Sequence, residues 1–298
     1  MPGGLYFESY NKTTYSVAKG APTTIDLPLD RGLIHELHTV MTEGAVSAYV
    51  AVVDMPEFCP RQELLIDGEV FGEYHTPDLI MINQFYGETL VDGILPMLFA
   101  QNSRSTVKER ESTSFLASSY RKPALRFYIG ETIGVNPIVS PNLEQMVVAE
   151  GITQAGRNAI AATPQVGVSR IMKFYRDTID IKTTGETYNR YRYEGGGERI
   201  RAFHFKGSNI TAIRILLNEQ ERWFFPDKTY LNARLGSKGA VPQADWWHIA
   251  FETLGGSVNG MLNPKFNGVE DVIDFQIYTN AVADVSLLVE QYNKPQSR

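Results

Sequence analysis

The chain reads as all-β: two tandem eight-stranded antiparallel sandwiches, each carrying one short helix. Three observations carry this expectation. An eleven-residue motif occurs twice, half a chain apart. The segments around it break into β-branched and aromatic runs of about four to eight residues, bounded by Gly, Pro and Asp. Helical spacing is confined to a few stretches, which disfavours a regular alternation of strands and helices.

The motif is PDLIMINQFYG at 77–87 and PDKTYLNARLG at 226–236, with Ile82 matching Leu231, Asn83 matching Asn232 and Tyr86 matching Leu235. Its spacing, 226 − 77 = 149 in a chain of 298 residues, is that of a duplicated domain and not of a local repeat. Proline is tolerated in a first helical turn, and glycine accepts the left-handed conformation past a helix end. Each copy therefore predicts a short helix of about two to three turns. Asp78 and Asp227 then lie at the positive end of the helix dipole.

Four further echoes flank the motif in the same order. Thr24-Ile25-Asp26 resembles Thr178-Ile179-Asp180, and Ile34, Leu37, His38 resemble Ile200, Phe203, His204. Asp92 with Leu98-Phe99 matches Asp245 with Ala250-Phe251, and Leu125, Phe127, Ile129 match Ile273, Phe275, Ile277. One offset, 200 − 34 = 166, exceeds the rest and requires extra residues in the first half, which the region 43–61 supplies.

Taken in order, residues 1–22 predict an extended N-terminal arm, rich in Gly, Ser, Thr, Asn and Tyr and without a helical period. The first sandwich spans 23–140: TTIDLPL, LIHELHTV, AVSAYVAVVDM, ELLIDGEVFG, the motif helix, GILPMLFAQ, STSFLASS and ALRFYIGETI. Residues 141–167 differ in texture, being alanine-rich without aromatics, and Leu143, Met146, Val147, Ile152, Ala155, Ala159 and Ile160 keep helical spacing. They predict a linker with some helix. The second sandwich spans 168–298, from RIMKFYRDTIDIKTT through YNRYRYEGGGERIRAFHF, read as a hairpin turning at Glu194–Gly197, to VSLLVEQYN.

Composition, with 43% hydrophobic and 21% charged residues, is that of a folded globular chain. No run of about 18 apolar residues is present, and MPGGLYFESY lacks the basic and apolar regions of a secretory signal. The single cysteine, Cys59, excludes an intramolecular disulfide and a cysteine zinc site, and points to synthesis in a reducing compartment. Residues 1–150 carry 10 basic and 19 acidic side chains, net −9; residues 151–298 carry the remaining 18 and 15, net +3. The two repeats are therefore electrostatically unlike.

No catalytic, cofactor-binding or metal-binding residue is predicted. The five histidines are His35, His38, His75, His204 and His248. His35 and His38 fall in a strand-like run, where residues three apart face opposite ways, so they do not form a metal pair. His38 and His204, retained in both halves, read as packing or sheet-bonding residues. No nucleophile elbow, HExxH, phosphate loop or calcium loop occurs, and Asp67-Gly68 reads as a strand-end turn. Tyr191, Arg192, Tyr193, Arg199, Arg201, Phe203 and Phe205 combine stacking and phosphate-contacting types, but the overall acidity disfavours direct nucleic-acid contact. Trp223, Trp246 and Trp247 sit in apolar runs and read as core or interface anchors.

On TTIDLPLDRG and DTIDIKTTG opening the units, the two motif regions, and ALRFYIG and DVIDFQIYTN closing them, residues 23–292 resemble the double jelly-roll major capsid proteins of tail-less icosahedral viruses with an internal membrane, the corticovirus type above all. The resemblance implies two tandem jelly rolls, no catalytic residue and no cofactor. It further implies a homotrimer of pseudo-hexagonal outline, neighbouring capsomers, minor capsid or penton proteins and membrane-associated virion proteins as partners, and a place in the virion after synthesis in host cytoplasm. Two rivals are a tandem carbohydrate- or receptor-binding β-protein and a metal-dependent bicupin; the second needs His-x-His with a following Glu and a distal His, which is not in phase here.

Overall fold

A computed structural model describes residues 6–27, 33–44, 48–99, 114–150, 171–197, 199–255, 261–266 and 269–293. It divides into two compact units: Met1–Gln84, Glu88–Lys173 and Lys294–Arg298 form the first, and Phe85–Gly87 with Phe174–Asn293 the second.

The first unit is built on eight strands: β1 (Tyr6–Ser16), β2 (Thr23–Asp26), β3 (Leu33–Glu43), β4 (Arg61–Ile66), β5 (Glu69–His75), β6 (Ile94–Leu98), β7 (Ala124–Tyr128) and β8 (Asn142–Glu150). They form two antiparallel sheets, one ordered β1-β8-β3-β6 and the other β2-β7-β4-β5. Two-residue strands at Ala48–Tyr49 and Phe115–Leu116 add to β3. The second element set is β9 (Ile171–Ile179), β10 (Asn189–Arg192), β11 (Arg199–Lys206), β12 (Ile210–Leu217), β13 (Gln220–Phe225), β14 (Trp246–Ala250), β15 (Ile273–Thr279) and β16 (Val285–Asn293). Its sheets run β9-β16-β11-β14 and β10-β15-β12-β13. The strand order is the same in both, which is the eight-stranded jelly roll twice over.

The repeated motif stands at the same place in each roll. Helix α1 (Thr76–Phe85) follows β5, and α2 (Lys228–Gly236) follows β13. Before each helix lies a hairpin with a two-residue turn, Asp67-Gly68 and Asn218-Glu219, in which both residues have positive φ as a type I′ turn demands. Asn83, shared by the motif copies, donates its side-chain N–H to the Pro96 carbonyl at 2.8 Å and so ties α1 to β6. In the second copy the cap differs from expectation. Asp227 is the N-cap, accepting from the Thr229 amide at 2.7 Å, so Pro226 precedes the helix. The left-handed glycine after α2 is Gly239 (φ 88°), not Gly236.

The extra residues required after His38 are where the offset placed them. Between β11 and β12 there are only three residues, whereas 44–60 between β3 and β4 include Ala48–Tyr49 and a one-turn helix at Met55–Phe58. One echo fails: Thr24-Ile25-Asp26 lies on β2, the second strand of its roll, while Thr178 and Ile179 end β9, the first strand of the other.

Three expectations are corrected. The arm over 1–22 is in large part β1, whose backbone pairs with β8 from Tyr6↔Glu150 to Ser16↔Asn142. The helical reading of 141–167 fails over Asn142–Glu150, which is β8, paired with both β1 and β3; the remainder of that stretch, 151–167, lies outside the described residues. The 188–205 hairpin does not form, because β10 pairs with β15 in one sheet and β11 with β16 and β14 in the other.

Alternation supplies the core. In the second unit Phe203 and Phe205 of β11, Ile213 and Ile215 of β12, Trp247 and Ile249 of β14, Phe275 and Ile277 of β15, and Leu287 and Val289 of β16 point between the two sheets. Phe203 and Phe275 meet edge to face at 4.8 Å. Each large apolar side chain buried in this way contributes about 1.5–3 kcal/mol.

Candidate functional site: a buried polar network in the second unit

The same alternation that sends Phe203 and Phe205 inward sends His204 to the outer face of the β9-β16-β11-β14 sheet. His204, His248 of β14 and Glu290 of β16 share that face, and all three are fully buried. A register irregularity between Ile200 and Ala202 inserts Arg201 beside them. Phe85 and Tyr86 cover the group. Phe85 stacks on His248 with ring centroids 4.3 Å apart, its carbonyl accepts from the Val241 amide, and the Tyr86 ring lies 3.8 Å from the Arg201 guanidinium carbon.

The hydrogen bonds form one connected set. Arg201 Nε donates to Glu252 Oε2 at 2.7 Å, the latter carried by helix α3 (Phe251–Gly255), and Arg201 Nη1 donates to Glu290 Oε2 at 3.2 Å. Glu290 Oε1 accepts from Tyr86 Oη at 2.8 Å and from His204 Nε2 at 2.7 Å. His204 Nδ1 and His248 Nδ1 are 2.7 Å apart, and His248 Nε2 accepts from the Gln243 amide at 3.3 Å. The partners assign the tautomers. Because the Gln243 backbone N–H can only donate, His248 carries its proton on Nδ1 and gives it to the His204 Nδ1 lone pair, leaving His204 to donate from Nε2.

Burial is the largest influence on these groups. It holds His248 far below an ordinary imidazole, at about 2, with the neighbouring His204 and Lys228 acting in the same direction. Burial also works against a charged Glu290, but Arg201 and the hydrogen bonds from His204 and Tyr86 outweigh it, so its carboxyl titrates below the usual range. Burial raises the Tyr86 phenol. The Arg201 guanidinium keeps its proton despite burial because Glu252, Tyr86 and Glu290 surround it.

Chemically the arrangement is closed. Each named polar atom is engaged with a protein partner, and the network bridges β11, β14, β16 and α3. It works as a register lock: a slip of one residue would turn Arg201 and Glu290 away from each other into apolar surroundings.

The other residues singled out in the sequence are dispersed. His35 is buried against Ser114 at 2.7 Å, and burial lowers its titration. His38 meets Glu36 at 2.7 Å, and His75 meets Glu73 at 2.8 Å. Cys59 is buried, its thiol pushed up to about 12. Trp247 is core, Trp223 packs on Phe251 at 5.0 Å, and Trp246 stacks near His248 at 6.2 Å. Arg201, grouped from the sequence with Arg199 as a phosphate-contacting type, is buried instead. Among the described residues no group of three His, Cys, Asp or Glu side chains is set to hold a metal ion.

Comparison with known proteins follows the same lines. Residues 171–295 match the family model of the viral coat protein P2 C-terminal domain. The major capsid protein P2 of bacteriophage PM2 superposes with a TM-score of 0.77 at 14% identity, covering 99% of each chain. A chain of Sulfolobus turreted icosahedral virus gives 0.67 at 12% identity, covering 98% of this chain and 92% of that one. The PBCV-1 virus capsid gives 0.62 at 12%, covering 98% and 96%. No curated protein matches in sequence. Residues 171–295 thus match the viral coat protein P2 C-terminal domain, and the chain as a whole has the double jelly-roll fold of these capsid proteins.

Proposed function

We propose that the chain works as a homotrimer, in which three copies of two similar rolls make a six-barrel, pseudo-hexagonal capsomer that tiles an icosahedral shell around an internal lipid membrane. The strand-for-strand duplication carries this reading: only a chain with two equivalent rolls gives threefold symmetry a sixfold outline. The unlike halves, net −9 and +3, supply unlike neighbours around such a ring. Neighbouring capsomers, penton or minor capsid proteins and membrane-associated virion proteins are the partners in this reading, and direct nucleic-acid contact is not part of it. No residue acts in catalysis, and no cofactor takes part.

Light scattering after chromatography at micromolar concentration tests the oligomer. A trimer has a mass of about 100 kDa, from 3 × 33.4 kDa. A species of one chain's mass at all concentrations would refute the trimer. Removing residues 1–22 takes away β1, an outermost strand of its sheet, so that truncation probes folding as well as association.

A further inference from the structure

The outer face of the β10-β15-β12-β13 sheet is laid out as rows of arginine and aromatic side chains. Register places Arg190, Gln276, Arg214 and Phe224 in one row across the four strands, and Arg192, Asp274, Leu216 and Glu221 in the next. Arg190 and Arg192 both pair with Asp274, at 2.7 and 3.2 Å, and cover that carboxylate almost completely while their own side chains stay about half exposed (52% and 54%). Arg214 pairs with Glu221 at 3.0 Å and sits beside Phe224 at 4.8 Å and Tyr278 at 5.9 Å. Tyr188 meets Tyr278 at 6.0 Å. Phe224 and Tyr188 are each 43% exposed. Counting only these paired groups, three guanidiniums against two carboxylates, 3 − 2 gives +1.

Its topological counterpart in the first unit, the β2-β7-β4-β5 sheet, has the opposite balance. Arg126 pairs with Glu63 at 3.1 Å and Arg61 with Glu73 at 3.2 Å, and alternation along β2 puts Asp26 on the same outer face. Counting only these acids and arginines, 2 − 3 gives −1. The arginine–aromatic composition of the second-unit face, with its positive charges already held in place by ion pairs, is that of a protein-binding surface whose energy is concentrated in Arg, Tyr and Phe.

We infer that this arginine–aromatic face is a docking surface for the acidic first unit of a second copy of the chain. The inference rests on the trimer reading and names the surface through which unlike rolls meet. Charge complementarity, both of the two faces and of the whole halves, selects this occupant.

The test uses the full-length protein with the exposed variants Phe224→Asp and Tyr188→Asp on one face and Asp26→Lys on the other. Circular dichroism and thermal melting verify folding, and Arg192→Gln, which leaves Arg190 on Asp274, serves as a milder probe. Each is expected to raise the concentration of half-association by about tenfold or more. Association of the unaltered chain is expected to weaken as salt rises from about 0.05 to 0.5 M. Variants that associate like the parent, without salt dependence, would overturn the inference while leaving the trimer in place; an unaltered chain that never associates would refute the trimer itself. Arg192→Gln abolishing binding of a single-stranded oligonucleotide without changing association would assign the face to nucleic acid and overturn it too.

Discussion

Replacing Arg201 by Met is expected to destabilise the second unit by about 3–5 kcal/mol, the cost of leaving a buried partner without its charge. Glu290 and Glu252 would then face an apolar side chain with no cation between them, at positions about 0% and 1% exposed. The loss follows from unpairing and not from size, since Met fills a similar volume. Urea denaturation of the variant should therefore show a lower midpoint at neutral pH. Adding Glu252→Gln and Glu290→Gln should return a substantial part of the loss, because the stranded carboxylates are gone. A single variant with parental stability would show that the network is not the lock described.

Acid should destabilise the fold well above the range in which ordinary carboxylates titrate. His248 is depressed from 6.5 to about 2 in the folded chain, chiefly by burial. A group depressed on folding contributes stability that is complete above its unfolded value and is lost as pH falls towards its folded value. The window is thus from about pH 6.5 downward, at up to roughly 1.4 kcal/mol per pH unit for one such group. His35, also lowered by burial, acts in the same direction in the first unit. Glu290, held below the usual carboxylate range, adds its loss at still lower pH. Denaturation midpoints between pH 8 and 5 should fall, and His248→Gln, whose amide does not titrate, should flatten the slope after its own offset is subtracted. An unchanged slope in that variant would remove His248 from the account.

The duplication was legible because its clearest trace, the Pro-Asp and Asn-to-Gly motif, stands on helix signals that depend on a few residue types. The turn at Asp67-Gly68 was legible for the same reason, since both positions need positive φ. Strand β8 was not. In NLEQMVVAE the residues Leu143, Met146 and Val147 imitate helical spacing, whereas burial alternates through Leu143, Gln145, Val147 and Ala149. A buried glutamine at the second of those positions hides the period of two. Strand β1 was hidden by its polar composition, which reads as an arm until its backbone partner is known.

The buried network was only half visible. His204 stood out through its echo of His38, and the two occupy the third strand of their rolls, His204 opposite His248 and His38 opposite Pro96. Its partners are remote in sequence: Tyr86 lies 204 positions from Glu290, and Arg201 lies 89 from it. Simple alternation over IRAFHF places Arg201 beside Phe203 and Phe205, while the register irregularity puts it on the face of His204. No local pattern reports that Phe85 and Tyr86 will cover that face.

Electron microscopy of the purified oligomer tests the central claim most directly, because two equivalent rolls per chain have a visible consequence. Averaged top views are predicted to show six lobes of similar size around a threefold centre, in two alternating kinds that differ at the 44–60 insertion. A ring of three undivided lobes, or a particle without threefold symmetry, would contradict the account.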